Sequence, residues 1–182
     1  MPEQQQRRTA ITFYRADEAP SLEDDGIQTM APGQIDPAIS AAFNGRHMAA
    51  GQRVTVLFKD ADPDGFSLVH AWFGPGFRLP RHSHSSDCLY YVLAGEAHMG
   101  SRVLKPGDGF LVLAEAPYTY TAGSEGVEVL EFRHATSFDI KIRDRTLEQW
   151  KPIIEAVKAN GERWAKAASS VRPLAPTAAE HG

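Results

Sequence analysis

With a single cysteine, Cys88, in 182 residues, no intrachain disulfide is possible, which excludes a disulfide-stapled fold. A lone thiol suits a reducing, cytoplasmic setting. No stretch approaches the ~20 apolar residues of a membrane helix. The opening residues, MPEQQQRRTAITFYRADEAP, lack the apolar centre of a secretory leader. Neither sign of charge dominates or clusters: 19 Lys and Arg against 23 Asp and Glu give a net charge of -4. That argues against a nucleic-acid partner, whose footprint would be basic and clustered. No repeat of solenoid period is present. With 42% apolar residues the chain can bury one substantial core. The expectation is one soluble cytoplasmic domain.

Residues 1–8 are polar and expected to fray. The β-branched and aromatic run 9–14 (TAITFY) predicts a short strand, and 16–37, rich in acids, Gly and Pro, predicts loop. Asp36 before Pro37 predicts a capped helix to about Phe43. This arm either closes one end of the domain or reaches a second subunit, and a homodimer is expected. Residues 53–58 (RVTVLF) read as a strand. The loop 60–65 mimics the start of a calcium loop, but its twelfth position is Ala71 and not Glu, so it reads as a hairpin turn.

On the strand 66–73, Leu68, His70 and Trp72 share one face and Val69, Ala71 and Phe73 the other. His70 and Trp72 are therefore candidates to line a pocket; His70 satisfied in the wall is the alternative. Residues 89–94 read as a buried strand turned at Gly95, and 96–104 as a hairpin about Gly100. Glycines 123 and 126 mark a further turn. In 127–134 (VEVLEFRH), Leu130, Phe132 and His134 share the face expected to look inward. After Ile142 the period lengthens to about 3.6: Leu147, Trp150, Ile154, Val157, Trp164 and Ala168 form an apolar helical stripe. Thr146 and Gln149 fit a capping box. Pro152 predicts a kink or a start nearer Lys151, and Asn160-Gly161 an end to the first segment. The stripe is expected to pack on the barrel, with a partner subunit the alternative, and not to enter the site. Residues 171–182, rich in Pro and Ala, predict disorder.

The chemistry concentrates at GFRLPRHSHSSDCLYYVLAG, residues 76–95. His82 and His84 are two residues apart, so on a strand both imidazoles face one point. Neutral imidazole is the commonest metal ligand. Gly76, His82, His84, Cys88 and Gly95 at these spacings resemble the first signature of the cupin superfamily. Leu104-Lys105-Pro106-Gly107-Asp108, then Phe110 to Leu113 and Pro117, resemble the second. The resemblance covers about residues 54–134. It implies an antiparallel β-barrel of double-stranded β-helix or jelly-roll type, with an N-terminal arm (1–50), barrel (51–145), helical segment (146–169) and tail (170–182). It also implies an inner pocket, often with a metal at its floor.

The departures from the pattern bear on that metal. Cys88 stands where cupins usually carry Glu, with Asp87 the nearest carboxylate, and Tyr118 stands where the third histidine usually follows the proline. The third ligand is open among Tyr118, Tyr120, His134, Asp87 and Cys88. Two imidazoles with an oxygen donor suit Fe, Mn, Ni or Zn, and sulfur shifts preference toward Zn or Cu. Tyr118 or Tyr120 is alternatively a general base activated by the cation. Arg78 at the pocket mouth is a candidate to bind a substrate carboxylate; Tyr90 and Phe132 complete the expected lining. The resulting expectation is a metal-dependent enzyme acting on a small organic molecule, of dioxygenase, lyase or isomerase type. The alternative is a metal-free binding or sensing module.

Overall fold

The computed structural model describes residues 11–43 and 45–166. The elements are α1 (Leu22–Asp25), β1 (Gln28–Met30), α2 (Pro37–Ala41), α3 (Gly45–Ala50), β2 (Gln52–Lys59), β3 (Ser67–Phe73), β4 (His82–Ser83), β5 (Cys88–Met99), β6 (Arg102–Leu104), β7 (Gly109–Val112), β8 (Thr121–Arg133), β9 (Phe138–Ile142) and α4 (Leu147–Lys166). The larger sheet runs β2-β3-β8-β5-β6, with β7 also on β5; its pairs are antiparallel. The smaller runs β1-β9-β4, with β1 parallel to β9. Where β1 stops, the Gln34 amide continues its ladder. It donates to the Ile140 carbonyl (2.8 Å) and accepts from the Ile142 N–H (2.6 Å). Among the described residues no helix is long and apolar enough to cross a membrane.

Alternation along β3, β5 and β8 decides what lies inside. Ala71, Phe73, Cys88, Tyr90, Val92, Val127 and Val129 point into the main core, where they meet Phe77, Leu79, Tyr118, Tyr120 and Ile142 from the other layer. The odd-numbered residues of β3 and, from Val127 onward, of β8 are thus inward. This corrects the facing expected from the sequence: Leu130, Phe132 and His134 are on the outer face with Leu68, His70 and Trp72. The physical reason is that β3 is apolar on both faces, so its period carries no inside–outside contrast.

Several local expectations change for similar reasons. Residues 11–14 form no strand, and positions 9 and 10 lie outside the described residues. The expected loop 16–37 contains α1, capped by the Ser21 side chain accepting from Asp24 N–H, and β1. Neither Gly95 nor 123–126 is a turn: β5 and β8 run through them, accommodating irregular register at Val92/Ala94 and Gly95/Ala97. Residues 89–94 are buried on one face only, with Leu89 and Tyr91 exposed. The hairpin at 60–65 and the Asp36-capped helix are as expected; the Asp36 carboxylate accepts from Ala38 N–H at 2.7 Å.

Helix α4 begins at the expected capping box: Gln149 N–H donates to Thr146 Oγ1 (3.3 Å) and Thr146 N–H to Gln149 Oε1 (3.0 Å). It runs to Lys166 with Pro152 inside it. Trp150, Ile153, Ile154, Val157 and Trp164 are its buried stripe, and the Trp164 indole donates to the Pro75 carbonyl (2.8 Å). Gly161 does not end the helix. A Cβ there would lie 2.6 Å from His47 Cβ, so this glycine lets α3 approach α4. The expected frayed residues 1–8 and tail 170–182 lie outside the described residues.

Candidate functional site

Residues 77–82 and 118–122 run side by side. His82 and Tyr118 exchange both backbone hydrogen bonds, at 3.0 and 2.9 Å. Directly paired residues of an antiparallel ladder project to the same side. The His82 and Tyr118 rings are accordingly 4.4 Å apart between centroids, with Nε2 and Oη at 3.0 Å. From the opposite sheet, Tyr90 on the inner face of β5 brings its hydroxyl into short contact with that of Tyr118. Arg133, on the inner face of β8, reaches Tyr90 Oη at 3.4 Å.

The donors in this chain can be ordered. His82 Nδ1 lies 2.7 Å from the Pro80 carbonyl, which only accepts, so Nδ1 carries the proton. Burial, foremost, lowers the His82 pKa, so the ring is neutral and Nε2 is a bare lone pair. Tyr118 O–H therefore donates to His82, Tyr90 O–H to Tyr118, and the guanidinium to Tyr90. His84 follows the same rule. Its Nδ1 donates to the Asp139 carbonyl of β9 at 2.7 Å, leaving Nε2 without a hydrogen bond among the described residues. The His84 ring stands edge-on to His82 at 5.0 Å. Burial, then the Arg133 charge and the coupling to the adjacent His82 ring, push its pKa down to about 3.

Arg133 is fully buried, stacked on Phe138 at 4.1 Å, with Nη1 2.8 Å from Glu131 Oε2. That contact lacks hydrogen-bond alignment, and Nε and Nη1 make no hydrogen bond among the described residues. Burial and the Glu131 carboxylate raise the pKa of both Tyr90 and Tyr118, so both hydroxyls stay protonated at neutral pH. The same two causes push the Cys88 thiol up to about 12, which makes it an inert, apolar-like residue.

Of the residues singled out in the sequence, His82, His84, Tyr118 and Tyr90 come together. Tyr120 is buried beside them, two residues on from Tyr118, with no hydrogen bond to its hydroxyl among the described residues and its ring edge-on to Phe73 and Phe110. Cys88 is on the inner face next to Tyr90, Arg133 and Glu131. Asp87 is exposed and caps the Ala114 N–H (2.7 Å). Among the described residues no three His, Cys, Asp or Glu side chains gather as a metal-holding group. Cys88, Asp87 and His134 therefore do not complete the His82–His84 pair.

The other candidates lie elsewhere. His134 is exposed and stacked on Phe66 at 4.6 Å, and Phe132 is exposed beside it. His70 is buried on the outer face against Glu128 (Nε2 to Oε2, 3.1 Å), and Trp72 lies there under Arg53 at 4.5 Å. Arg78 is exposed on the edge facing Thr121. A cleft of about 660 Å³ on the surface, between Trp72, Pro75, Glu125 and the last turns of α4, is remote from the imidazoles. Sequence reasoning missed Arg133 and Glu131, because charged residues on an alternating strand are ordinarily assigned to solvent.

No family model matches the chain, and no curated protein does. Solved structures similar to it include the polyketide cyclase RemF from Streptomyces resistomycificus: 16% identity, TM-score 0.49, 59% of this chain and 84% of that one. An RmlC-like cupin from Shewanella frigidimarina is 24% identical over 47% of this chain and 78% of that one, with a TM-score of 0.41. A salicylate 1,2-dioxygenase variant from Pseudoaminobacter salicylatoxidans, in complex with gentisate, is 16% identical over 52% and 30%, with a TM-score of 0.45. Two β-sheets share a core around a buried polar cluster and are followed by a C-terminal helix, a sheet-rich arrangement of the kind expected from the two sequence motifs.

Proposed function

We propose that this chain is an enzyme acting on a small organic molecule, with Tyr118 transferring a proton and His82 and His84 holding a divalent transition metal. The observation that carries the reading is the one-way chain Arg133, Tyr90, Tyr118, His82. Every hydroxyl in it donates toward a neutral imidazole. With the His82 Nε2 lone pair committed to the metal in place of the Tyr118 hydrogen bond, the Tyr118 proton would pass to a basic atom of the substrate, and the phenolate left behind would be held by the Tyr90 hydroxyl and, through it, by the Arg133 charge. Such a group takes or returns a proton on a bound substrate, which favours lyase or isomerase chemistry within the cupin range.

The donor set fits a metal. Two neutral imidazoles have their tautomers fixed by backbone carbonyls, as ligating histidines commonly do, and a phenol oxygen touches one of them. His82 Nε2, His84 Nε2 and Tyr118 Oη are the three donors, suited to Fe, Mn, Ni or Zn. When bound, the metal would act as a Lewis acid on an oxygen atom of the substrate.

Metal analysis of untagged protein loaded with each of these ions tests the reading. One ion per chain is expected. His84→Ala should abolish retention, and Tyr118→Phe should weaken it by more than the ~10–100-fold typical of losing a supporting hydrogen bond. Retention unaffected by His84→Ala would refute the site. Absence of uptake would instead favour a metal-free binding module, the reading supported by the lack of a third His, Cys, Asp or Glu among the described residues.

A further inference from the structure

Among the described residues Glu115 is the only non-glycine with a left-handed backbone, at φ 63°. In that conformation a Cβ crowds the following carbonyl, so glycine or asparagine would fit at less cost. Glu115 lies in the loop 113–117, between β7 and Tyr118, and its contacts lead to the imidazole pair. Its N–H donates to the His84 carbonyl at 2.8 Å. One carboxylate oxygen accepts from Lys141 Nζ in a short contact, and the other from Arg143 Nη2 at 3.2 Å. The Arg143 guanidinium goes on to Ser83, the buried residue between the two histidines, donating to its Oγ from Nε (3.1 Å) and Nη2 (2.8 Å).

Stability does not account for this arrangement. The Glu115 side chain is 50% exposed, and those of Lys141 and Arg143 are 37% each. Exposed ion pairs gain little, because screening and side-chain entropy offset the attraction. The left-handed backbone costs at least as much as such pairs return. What Glu115 does supply is position and charge. Its N–H fixes the His84 backbone at the carbonyl, while the Asp139 carbonyl of β9 fixes the ring at Nδ1. Lys141, on the same strand, grips the Glu115 carboxylate, so both ends of His84 are referred to β9. The carboxylate also offsets two cations, Lys141 and Arg143, that would otherwise stand uncompensated beside a site for a cation.

We propose that Glu115 is a positioning residue for the metal pair. Clamped to Lys141 and Arg143, it sets the His84 backbone so that both imidazoles reach one ion. The proposal rests on the reading of His82 and His84 as metal ligands. Removing the carboxylate should loosen the ion without loosening the fold.

Glu115→Gly separates the two roles, since glycine relieves the backbone strain and keeps the N–H while deleting the carboxylate. Its urea midpoint should equal or exceed that of wild type. Its dissociation constant for Zn²⁺, measured by competition with a chelating dye, should rise by about 10–100-fold. Glu115→Gln, which keeps the length and loses the charge, should raise it by about fivefold or more, and carries the test should Glu115→Gly fail to fold. In metal-free protein, long-range ¹H–¹⁵N spectra of the imidazoles read the positioning directly. Wild-type His84 should be the single Nδ1–H tautomer, and Glu115→Gly should show a mixture. If wild type binds Zn²⁺, an unaltered affinity in the variants overturns the proposal, as does a loss of affinity that merely follows a lower urea midpoint. If wild type binds none, the metal reading fails by itself and the spectra decide whether Glu115 sets His84: a mixture in the variant sustains it, and unchanged His84 signals overturn it.

Discussion

Gly95→Ala should lower the melting temperature by roughly 6–20 °C. Gly95 has φ 69°, a left-handed conformation that costs other residues ~1–2 kcal/mol. A Cβ there would also run into the Gly126 carbonyl and lie 3.0 Å from Val127 Cα. Gly126 is itself left-handed, at φ 89°, and a Cβ on it would lie 2.7 Å from the Phe73 carbonyl. Three strands therefore meet backbone to backbone at this level, and none has a flexible side chain that can yield. Strain and clash together should cost about 3–5 kcal/mol, against a typical domain stability of ~5–15 kcal/mol. Thermal unfolding by circular dichroism measures it. A melting temperature within a few degrees of wild type would show that β5 and β8 can separate here without penalty.

Metal-free protein should be strongly acid-labile, beginning near pH 6.5. The folded His84 ring has its pKa at about 3, against 6.5 in the unfolded chain, chiefly through burial. Below pH 6.5 the unfolded chain takes up a proton that the folded chain refuses. The stabilisation is complete above pH 6.5, falls as pH drops, and levels off once the folded ring protonates near pH 3. The full span corresponds to roughly 4–5 kcal/mol from His84 alone, of which about 2–3 should be gone by pH 4.5. His82, shifted the same way by burial, adds to it. Urea midpoints at pH 7.5, 5.5 and 4.5 for wild type and His84→Asn measure the contribution. Equal pH slopes in the two proteins would show that His84 is not buried in its neutral form.

The site was legible where the backbone pattern alone decides it. His82 and His84 were singled out from their two-residue step and Tyr118 from the cupin resemblance, in which the third histidine follows the proline, and the three rings do lie together. The remainder needed the inside of the molecule to be known. On β8 the inward residues include Glu131 and Arg133, while Phe132 and His134 look out. A polar site inside and an apolar band outside reverse the usual contrast, so hydrophobic alternation points the wrong way. That one inversion accounts for His134 and Phe132, and the double-sided burial of β3 accounts for His70 and Trp72. The fold survived both errors, since period and turns specify strands whichever face is inward. Gly95 was read as a turn and Gly161 as a helix end because glycine marks close backbone approach as well as turns and caps, and the sequence alone does not separate them.

The anchoring of His84 to β9 has a consequence for when the site appears. The Asp139 carbonyl that fixes the His84 tautomer belongs to a strand whose pairing with β1 joins Gln28 to Phe138, across most of the chain. Contacts so distant in sequence close late, because the loop entropy must be met before they stabilise anything. The larger sheet closes over shorter separations, its widest pairing joining Ser67 to Arg133, and can form first. Refolding followed by stopped flow should then show β-sheet ellipticity recovering before burial of the imidazoles, read as protection of His84 from diethyl pyrocarbonate. Simultaneous recovery would mean that the small sheet is part of the folding nucleus. If it lags, a newly synthesised chain passes through a folded but chemically incompetent stage, and competence arrives with the last strand to dock.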